Sequence, residues 1–272
     1  MAINKARHLI LFVFSFSLWS CYWESGFDQQ ELSVAVEILD VGQGDAILLS
    51  RGGNFWMIDA GEAGSGIRSK LQTRGVEKIE RLFLSHHHLD HIGGVPEILR
   101  TIPVARLSVS CDREENATWS LIQRLADSLE IPIDTLWRGE WIALGGEEGK
   151  VSLKVLWPHH ALWQSGNNAS LVLQLITPTA RALMMGDLEG DMELELLELE
   201  GNRLASELLK VGHHGSRTSS VLPFIGMVRP LHVAISVGSG NSYGHPHAET
   251  LADLKCVVGE EERIHRTDDS GD

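Results

Sequence analysis

The sequence predicts an α+β fold of four layers, helix, sheet, sheet, helix (αββα), and three observations carry that expectation. Strand-type runs alternate with helical ones in both halves of the chain, so two sheets can form with helices on their outer faces. The 272 residues are 43% hydrophobic and hold no repeat, low-complexity stretch or long linker, which is enough to bury one core as a single domain. The loops richest in histidine and carboxylate each follow a strand, which gathers them at one sheet edge, where functional loops on a rigid scaffold belong.

The elements follow in order. Val34 to Leu39, Ala46 to Ser50 and Phe55 to Ile58 are apolar, β-rich runs that open the first sheet. Ile67 to Arg74 reads as a helix stopped by Gly75, Arg81 to Ser85 as the next strand, and the Ile92 to Pro96 turn opens a helix from Val95 to Arg100. A strand at Arg106 to Ser110 and a helix from Trp119 to Leu129 complete the first half. The second half has strands at Val151 to Trp157, Leu171 to Ile176 and Arg181 to Met185, then a helix from Met192 to Leu199. Strands at Leu208 to Val211 and Val233 to Val237, a helix from Ala248 to Cys256 and a last strand cut short after Gly271 follow.

Residues 1–20 read as a secretory signal. Lys5 and Arg7 stand there without an acid, and the apolar run Leu9 to Trp19 is eleven residues long. A bilayer span needs about twenty residues, whereas a signal core is this short. Leu18-Trp19-Ser20-Cys21 resembles a bacterial lipoprotein cleavage box, although Trp19 is bulkier than usual; a buried first helix or an uncleaved anchor is the alternative. The expectation is a lipidated Cys21, a polar tether over 21–32 and a folded domain over 33–272, anchored by its lipid or secreted outside a bacterial cytoplasm. Of the remaining cysteines, Cys111 and Cys256, both are expected to be buried thiols, with their pairing left open.

The net charge is −14, and removing residues 1–20 takes away two bases and no acid, leaving about −16. Such a chain has no general basic face for holding long duplex nucleic acid by counterion release. The acidic runs Glu147-Glu148 and Glu189 to Glu200 read as solvated surface.

The chemistry concentrates in Ser85-His86-His87-His88-Leu89-Asp90-His91, directly after a strand. Imidazole and carboxylate together suit a borderline divalent metal such as zinc or manganese. His86 and His88 alternate, so in extended backbone they point the same way and can grip one ion as a pair. Asp90 and His91 follow where the chain turns and can serve a second ion; His87 has the wrong parity.

His-x-His-x-Asp-His after a strand resembles the signature of the metallo-β-lactamase superfamily, and other expected parts stand in order. Phe55 to Gly61 resembles the strand ending in a buried Asp, here Asp59, that orients a ligand histidine. Leu183 to Asp187 resembles the strand ending in the carboxylate that bridges two ions, and Leu208 to His213 the one carrying the last histidine of the second ion. The stretches Asp40 to Ala46, Ser170 to Leu173, Leu209 to Ser216 and Ser242 to Pro246 are similar to the soluble metal-hydrolase domain of the competence DNA-uptake channel, the ComEC type. Two departures stand out. That domain often carries Asp where this chain has His88, and the third-motif histidine expected some twenty residues before Asp187 is missing, with Asn167 near its place.

The resemblance thus implies two divalent metal ions, zinc or manganese. His86, His88 and Asp187 would hold one, completed by Asn167 or water. Asp90, His91, Asp187 and His213 would hold the other, with Asp59 and His214 in support. Two cations can share a hydroxide made at neutral pH, because coordination drops the pKa of water to about 7. Ser216, Thr218 and Ser219, in a turn with Arg217, are candidates for a phosphate cradle, an ordinary polar turn being the alternative. His245, between Gly244 and Pro246, is expected to act as general acid, and Asp90 is counted with it among the catalytic groups. A ligand role for His245, with His213 or His214 supporting, stays open. His159, His160, His247 and His265 read as surface or rim residues. The function expected is a metal-dependent phosphodiesterase, a nuclease acting on single-stranded DNA or on ends, with no obligate protein partner. A hydrolase of small lactones, lactams or thioesters, and a metal-binding accessory protein without catalysis, are the alternatives.

Overall fold

The computed structural model describes residues 11–14, 33–145, 150–160 and 164–271. The first of two seven-stranded sheets runs in chain order: β1 (Leu11–Phe14), β2 (Val34–Ile38), β3 (Ile47–Arg51), β4 (Asn54–Ile58), β5 (Arg81–Leu84), β6 (Leu107–Val109) and β7 (Ile133–Thr135). The second also keeps chain order: β8 (Trp141–Ala143), β9 (Ser152–Trp157), β10 (Val172–Ile176), β11 (Arg181–Met184), β12 (Leu208–Lys210), β13 (His232–Ile235) and β14 (Ile264–Arg266). In each sheet the first four strands are antiparallel and the last four parallel. The helices are α1 (Ile67–Thr73), α2 (Leu89–Ile92), α3 (Val95–Thr101), α4 (Ala117–Ser128), α5 (Gly190–Glu200), α6 (Leu222–Val228), α7 (Ala248–Val258) and α8 (Thr267–Ser270).

The period of two along the strands sorts the apolar side chains into three layers. Ile47, Leu49, Trp56 and Ile58 face Leu153, Val155, Leu173 and Leu175 between the sheets. Their neighbours Leu48 and Met57, paired across β3 and β4, face outward onto Ile67 and Leu71 of α1, Ile98 of α3 and Ile122 of α4. Leu183, Leu209 and Val233 face the other way, onto Leu196 of α5, Phe224 of α6 and Leu254 of α7. Each sheet is thus covered on both faces, the αββα arrangement. It brings the loops that leave the carboxyl ends of the parallel strands β4, β5, β6, β11, β12 and β13 to one edge, where open sheets of this kind bind ligands.

Several expectations change. The edge strands β7 and β8 and the helix α6 were not foreseen, and the last strand is β14, closed by α8 before Gly271. The signal over 1–20 and the tether over 21–32 lie outside the described residues except for Leu11–Phe14, which pairs antiparallel with β2. Among the described residues no helix is long and apolar enough to cross a membrane. Cys111 is buried but Cys256 is exposed, and both are free thiols. On α7 the buried stripe is Thr250, Leu254 and Val258, which leaves Cys256 on the other face.

The acidic run is not all solvated. Glu193, Leu196 and Glu200 fall on the buried stripe of α5. Glu193 accepts the backbone N–H groups of Ser220 and Val221, each at 2.8 Å. Glu200 pairs with Arg138 at 2.6 Å, Lys154 at 2.9 Å and Arg203 at 3.0 Å.

Candidate metal centre

Asp59 leaves β4 with φ 57, in the left-handed region, and its carboxylate clamps the histidine loop that leaves β5. Oδ1 accepts the Ser85 backbone N–H and Oδ2 the Ser85 hydroxyl, both at 2.7 Å, and Oδ2 lies 2.8 Å from His91 Nδ1. With its Nδ1–H committed to Asp59, His91 presents the lone pair of Nε2, 3.3 Å from Asp187 Oδ1. His214 is prepared in the same way from the second sheet. Its Nδ1 donates to the Ser236 carbonyl at 3.0 Å with Asp45 Oδ1 at 3.3 Å, and its Nε2 lies 3.3 Å from Asp90 Oδ2 and 3.5 Å from Asp187 Oδ2.

Asp90, His91, Asp187 and His214 thus bring one donor atom each within 4.8 Å of one another. His91 Nε2, His214 Nε2 and Asp187 Oδ1 are buried without a hydrogen-bond partner. Buried polar atoms are rarely left so unless something else engages them. Two imidazole nitrogens and two carboxylates, converging and already oriented from behind, fit a divalent cation.

A second set of donors adjoins the first. His86 Nε2 and His88 Nδ1 face each other at 3.0 Å, and His86 Nε2 is 4.0 Å from Asp187 Oδ2, so Asp187 stands between the two sets. Their far nitrogens are braced: His86 Nδ1 is 3.0 Å from the Ser85 hydroxyl, and His88 Nε2 is 3.2 Å from Glu114 Oε2. Asn167 lines the same cavity, its Nδ2 donating to Glu189 at 3.3 Å and its Oδ1 buried without a partner.

The structure brings His214, and not the expected His213, into the cluster with Asp90, His91 and Asp187. Residues 213 and 214 both have left-handed backbone, φ 50 and 53, and that turn drops the second imidazole, not the first, into the buried cluster. His213 stays at the rim, with Nδ1 3.1 Å from Thr218 Oγ1 and Nε2 3.9 Å from Asp187. The expected phosphate cradle is also absent from the cavity wall. Ser219 donates to the Leu188 carbonyl at 2.9 Å, Ser216 and Thr218 bond each other at 3.1 Å, and none of the three lines the cavity. Their hydroxyls satisfy the fold's own polar groups.

His245 lies beside the cluster, its ring 5.5 Å from that of His213 and 6.4 Å from that of His214. Burial and the nearby His213, His214 and His247 push it down to about 4, so it rests as neutral imidazole at pH 7. The resting charge argues against a ready general acid: His245 must take up a proton before it can give one. His87 is held by the Glu114 carbonyl at 2.9 Å and stacks on Trp119 with ring centroids 4.2 Å apart. His160 stacks on Trp137, His247 contacts Arg217, and His265 contacts His232.

The charges in the cluster interlock. Burial alone would raise the Asp187 carboxyl, but His214 and His91 outweigh it and hold it well below the usual carboxylate range. Burial pulls His91 and His214 down, and the surrounding carboxylates, Asp187 foremost, lift both well above an ordinary imidazole. Protons on these two rings therefore occupy the place that a cation would take.

Two participants escaped the sequence reading. Asp45, buried at the end of the Asp40 to Asp45 loop, takes a 2.8 Å ion pair from Lys210, itself 1% exposed. Glu114 carries no motif, and its only signal is position, in the loop after β6 at the shared sheet edge.

The family model described as metallo-beta-lactamase superfamily matches residues 39–238. The chain is 28% identical over 87% of its length to ComE operon protein 3 of Bacillus subtilis and 30% identical over 89% to competence protein ComA of Neisseria gonorrhoeae. It spans about a third of each relative, 32% in both cases. Among solved structures it resembles the metallo-beta-lactamase fold protein YhfI of Bacillus subtilis (TM-score 0.56, 14% identity, 88% of this chain and 98% of that one). It also resembles the short form of human tRNase Z (TM-score 0.50, 16% identity, 75% and 93%). At such identities these two likenesses speak for the fold alone.

Proposed function

The chain belongs to the metallo-β-lactamase superfamily, and on that premise we propose that it is a dinuclear metal-dependent phosphodiesterase, a nuclease acting on single strands or ends. The observation that carries the reading is the set of buried, unpartnered donors around Asp187, backed by the likeness to competence proteins over most of the chain. Asp90, His91, Asp187 and His214 would hold one ion; His86, His88 and Asp187, with Asn167 Oδ1, would hold the other. When bound, the ions supply a water of lowered pKa and positive charge beside the attacked group.

The chain's own groups do the rest. Asp59 and the Ser236 carbonyl keep the Nδ1 protons of His91 and His214 in place, so that both rings present Nε2. Glu114 does the same for His88 from its Nε2 side. Asp187 reaches both donor sets and neutralises part of each charge. His245, neutral at rest, accepts the proton released from water and returns it to the leaving oxygen, which keeps it a catalytic group with the order of its steps reversed. Asp90 faces the cavity from the ligand loop and helps orient that water.

The test is hydrolysis after reconstitution with Mn²⁺ or Zn²⁺. Cleavage of single-stranded DNA or RNA above that of duplex supports the reading; if single- and double-stranded DNA, RNA and bis-p-nitrophenyl phosphate all stay intact, it fails. A cavity of about 530 Å³ in an acidic chain also suits a small lactone or thioester. Turnover of such a panel without phosphodiester cleavage would favour that second reading.

A further inference from the structure

We propose that the mouth of the metal cavity is a nucleobase-binding subsite, with Tyr243 as a stacking platform and Leu89 as a second apolar wall. The proposal rests on the phosphodiesterase reading and names the part of the substrate that reading leaves unbound. Among the described residues eight large apolar side chains are exposed, and two of them, Leu89 at 56% and Tyr243 at 64%, line this one cavity.

Both are held in place. Leu89 opens α2 between His88 and Asp90, so the ligand loop fixes its position. The Tyr243 backbone N–H donates to Asn241 Oδ1 at 3.1 Å, and the same Asn241 holds the backbone of His245 at both its N–H (3.0 Å) and its carbonyl (2.7 Å). The Tyr243 ring lies over that of His245, 5.6 Å away with 24° between the planes, while the side chain stays largely open to solvent. Neither side chain belongs to any of the buried apolar clusters.

Charge says what the subsite takes. Among the described residues no lysine or arginine lines the cavity, whose walls carry Glu62, Asp90, Glu114 and Asp187. In a chain of net charge −14, a phosphate inside the cavity but away from the metals meets no lysine or arginine among the described lining residues. Affinity for a nucleic acid therefore cannot come mainly from counterion release. Base stacking on an aromatic ring is the term that acidity leaves intact, and it requires a base free of its duplex partner. The occupant is thus an unpaired nucleobase adjoining the scissile phosphodiester.

The experiment compares a short oligothymidylate with the same backbone carrying abasic residues, in the Mn²⁺-loaded protein. Wild type should prefer the base-bearing substrate about tenfold in KM, within the range expected for stacking. In Tyr243→Ala that preference should collapse to less than about twofold, and in Tyr243→Phe it should persist. A preference of wild-type size in Tyr243→Ala overturns the proposal. A readout without turnover is the quenching of a 2-aminopurine trinucleotide in EDTA, expected with wild type and Tyr243→Phe and lost in Tyr243→Ala. If wild type cleaves neither backbone, the phosphodiesterase reading falls while the quench still decides the subsite; equal quenching by all three proteins, or none, overturns it.

Discussion

Lys210→Met should be among the most damaging single substitutions outside the ligands, although Lys210 touches no ligand side chain directly. Its ammonium is 2.8 Å from Asp45 Oδ2 and donates to the Val211 carbonyl at 2.9 Å, with both charged side chains about 1 to 2% exposed. Removing it leaves a carboxylate buried without its counter-charge, which costs about 3–5 kcal/mol when a buried pair is broken. At roughly 2–4 °C per kcal/mol for a domain of this size, Tm should fall by about 6–20 °C. The same orphaned carboxylate lies 3.3 Å from His214 Nδ1 and favours the imidazolium over the metal-binding form. Metal affinity should therefore fall by about 10- to 100-fold, as for other groups that orient a ligand. The double variant Asp45→Asn, Lys210→Met carries neither charge of this pair and should recover part of the lost stability. Denaturant melts and competition against a chelating dye read both quantities. A Tm within about 1 °C of wild type together with unchanged metal affinity in Lys210→Met would refute the reasoning.

Three further outcomes are expected. His214→Ala should lose an ion that His213→Ala retains, as counted by elemental analysis; equal loss from both would return His213 to the ligand set. In the chelated protein His91 and His214 have raised values, so their contribution to stability is whole below the unfolded value near 6.5 and is lost as pH rises through the folded ones. Tm of the chelated protein should accordingly fall toward alkaline pH while that of the Mn²⁺-loaded protein does not, and parallel curves would contradict the assignment. Cys21→Ser should shift the full chain from the membrane fraction or block its processing, whereas unchanged fractionation and mass would count against a lipid anchor.

The layered fold was legible because its signals are local and strong. β3, β4, β9 and β10 are long enough for their period of two to show, and they lie where expected to within a residue or so. What escaped lies at sheet edges: β7, β8 and β14 have three residues each and pair on one side only, with β6, β9 and β13, so little burial marks them in the sequence. Likewise the burial of Glu193 has no local signature. Burial pushes its carboxyl up to about 7, and its place in the interior makes sense only once the N–H groups of Ser220 and Val221 have been brought to it from 27 and 28 residues away.

The same distinction explains the site. His86 and His88 could be paired by parity because parity is a property of extended backbone, and their facing nitrogens lie 3.0 Å apart. The adjacent His213 and His214 cannot be sorted that way, since both have positive φ and neither face alternation nor helical spacing applies. What decides between them is the hand of the turn. Gly212 fits against the Leu188 carbonyl, where a Cβ would come within 2.9 Å, and Gly215 at φ 80 lies against Pro246, where one would come within 2.6 Å. Those two glycines let the loop press into the floor of the site, and His214 is the residue at its deepest point, 1% exposed against a 23% exposed His213 side chain. A pair of histidines between close-packed glycines therefore places its second imidazole in the buried donor cluster and its first at the rim, where His213 lines the cavity.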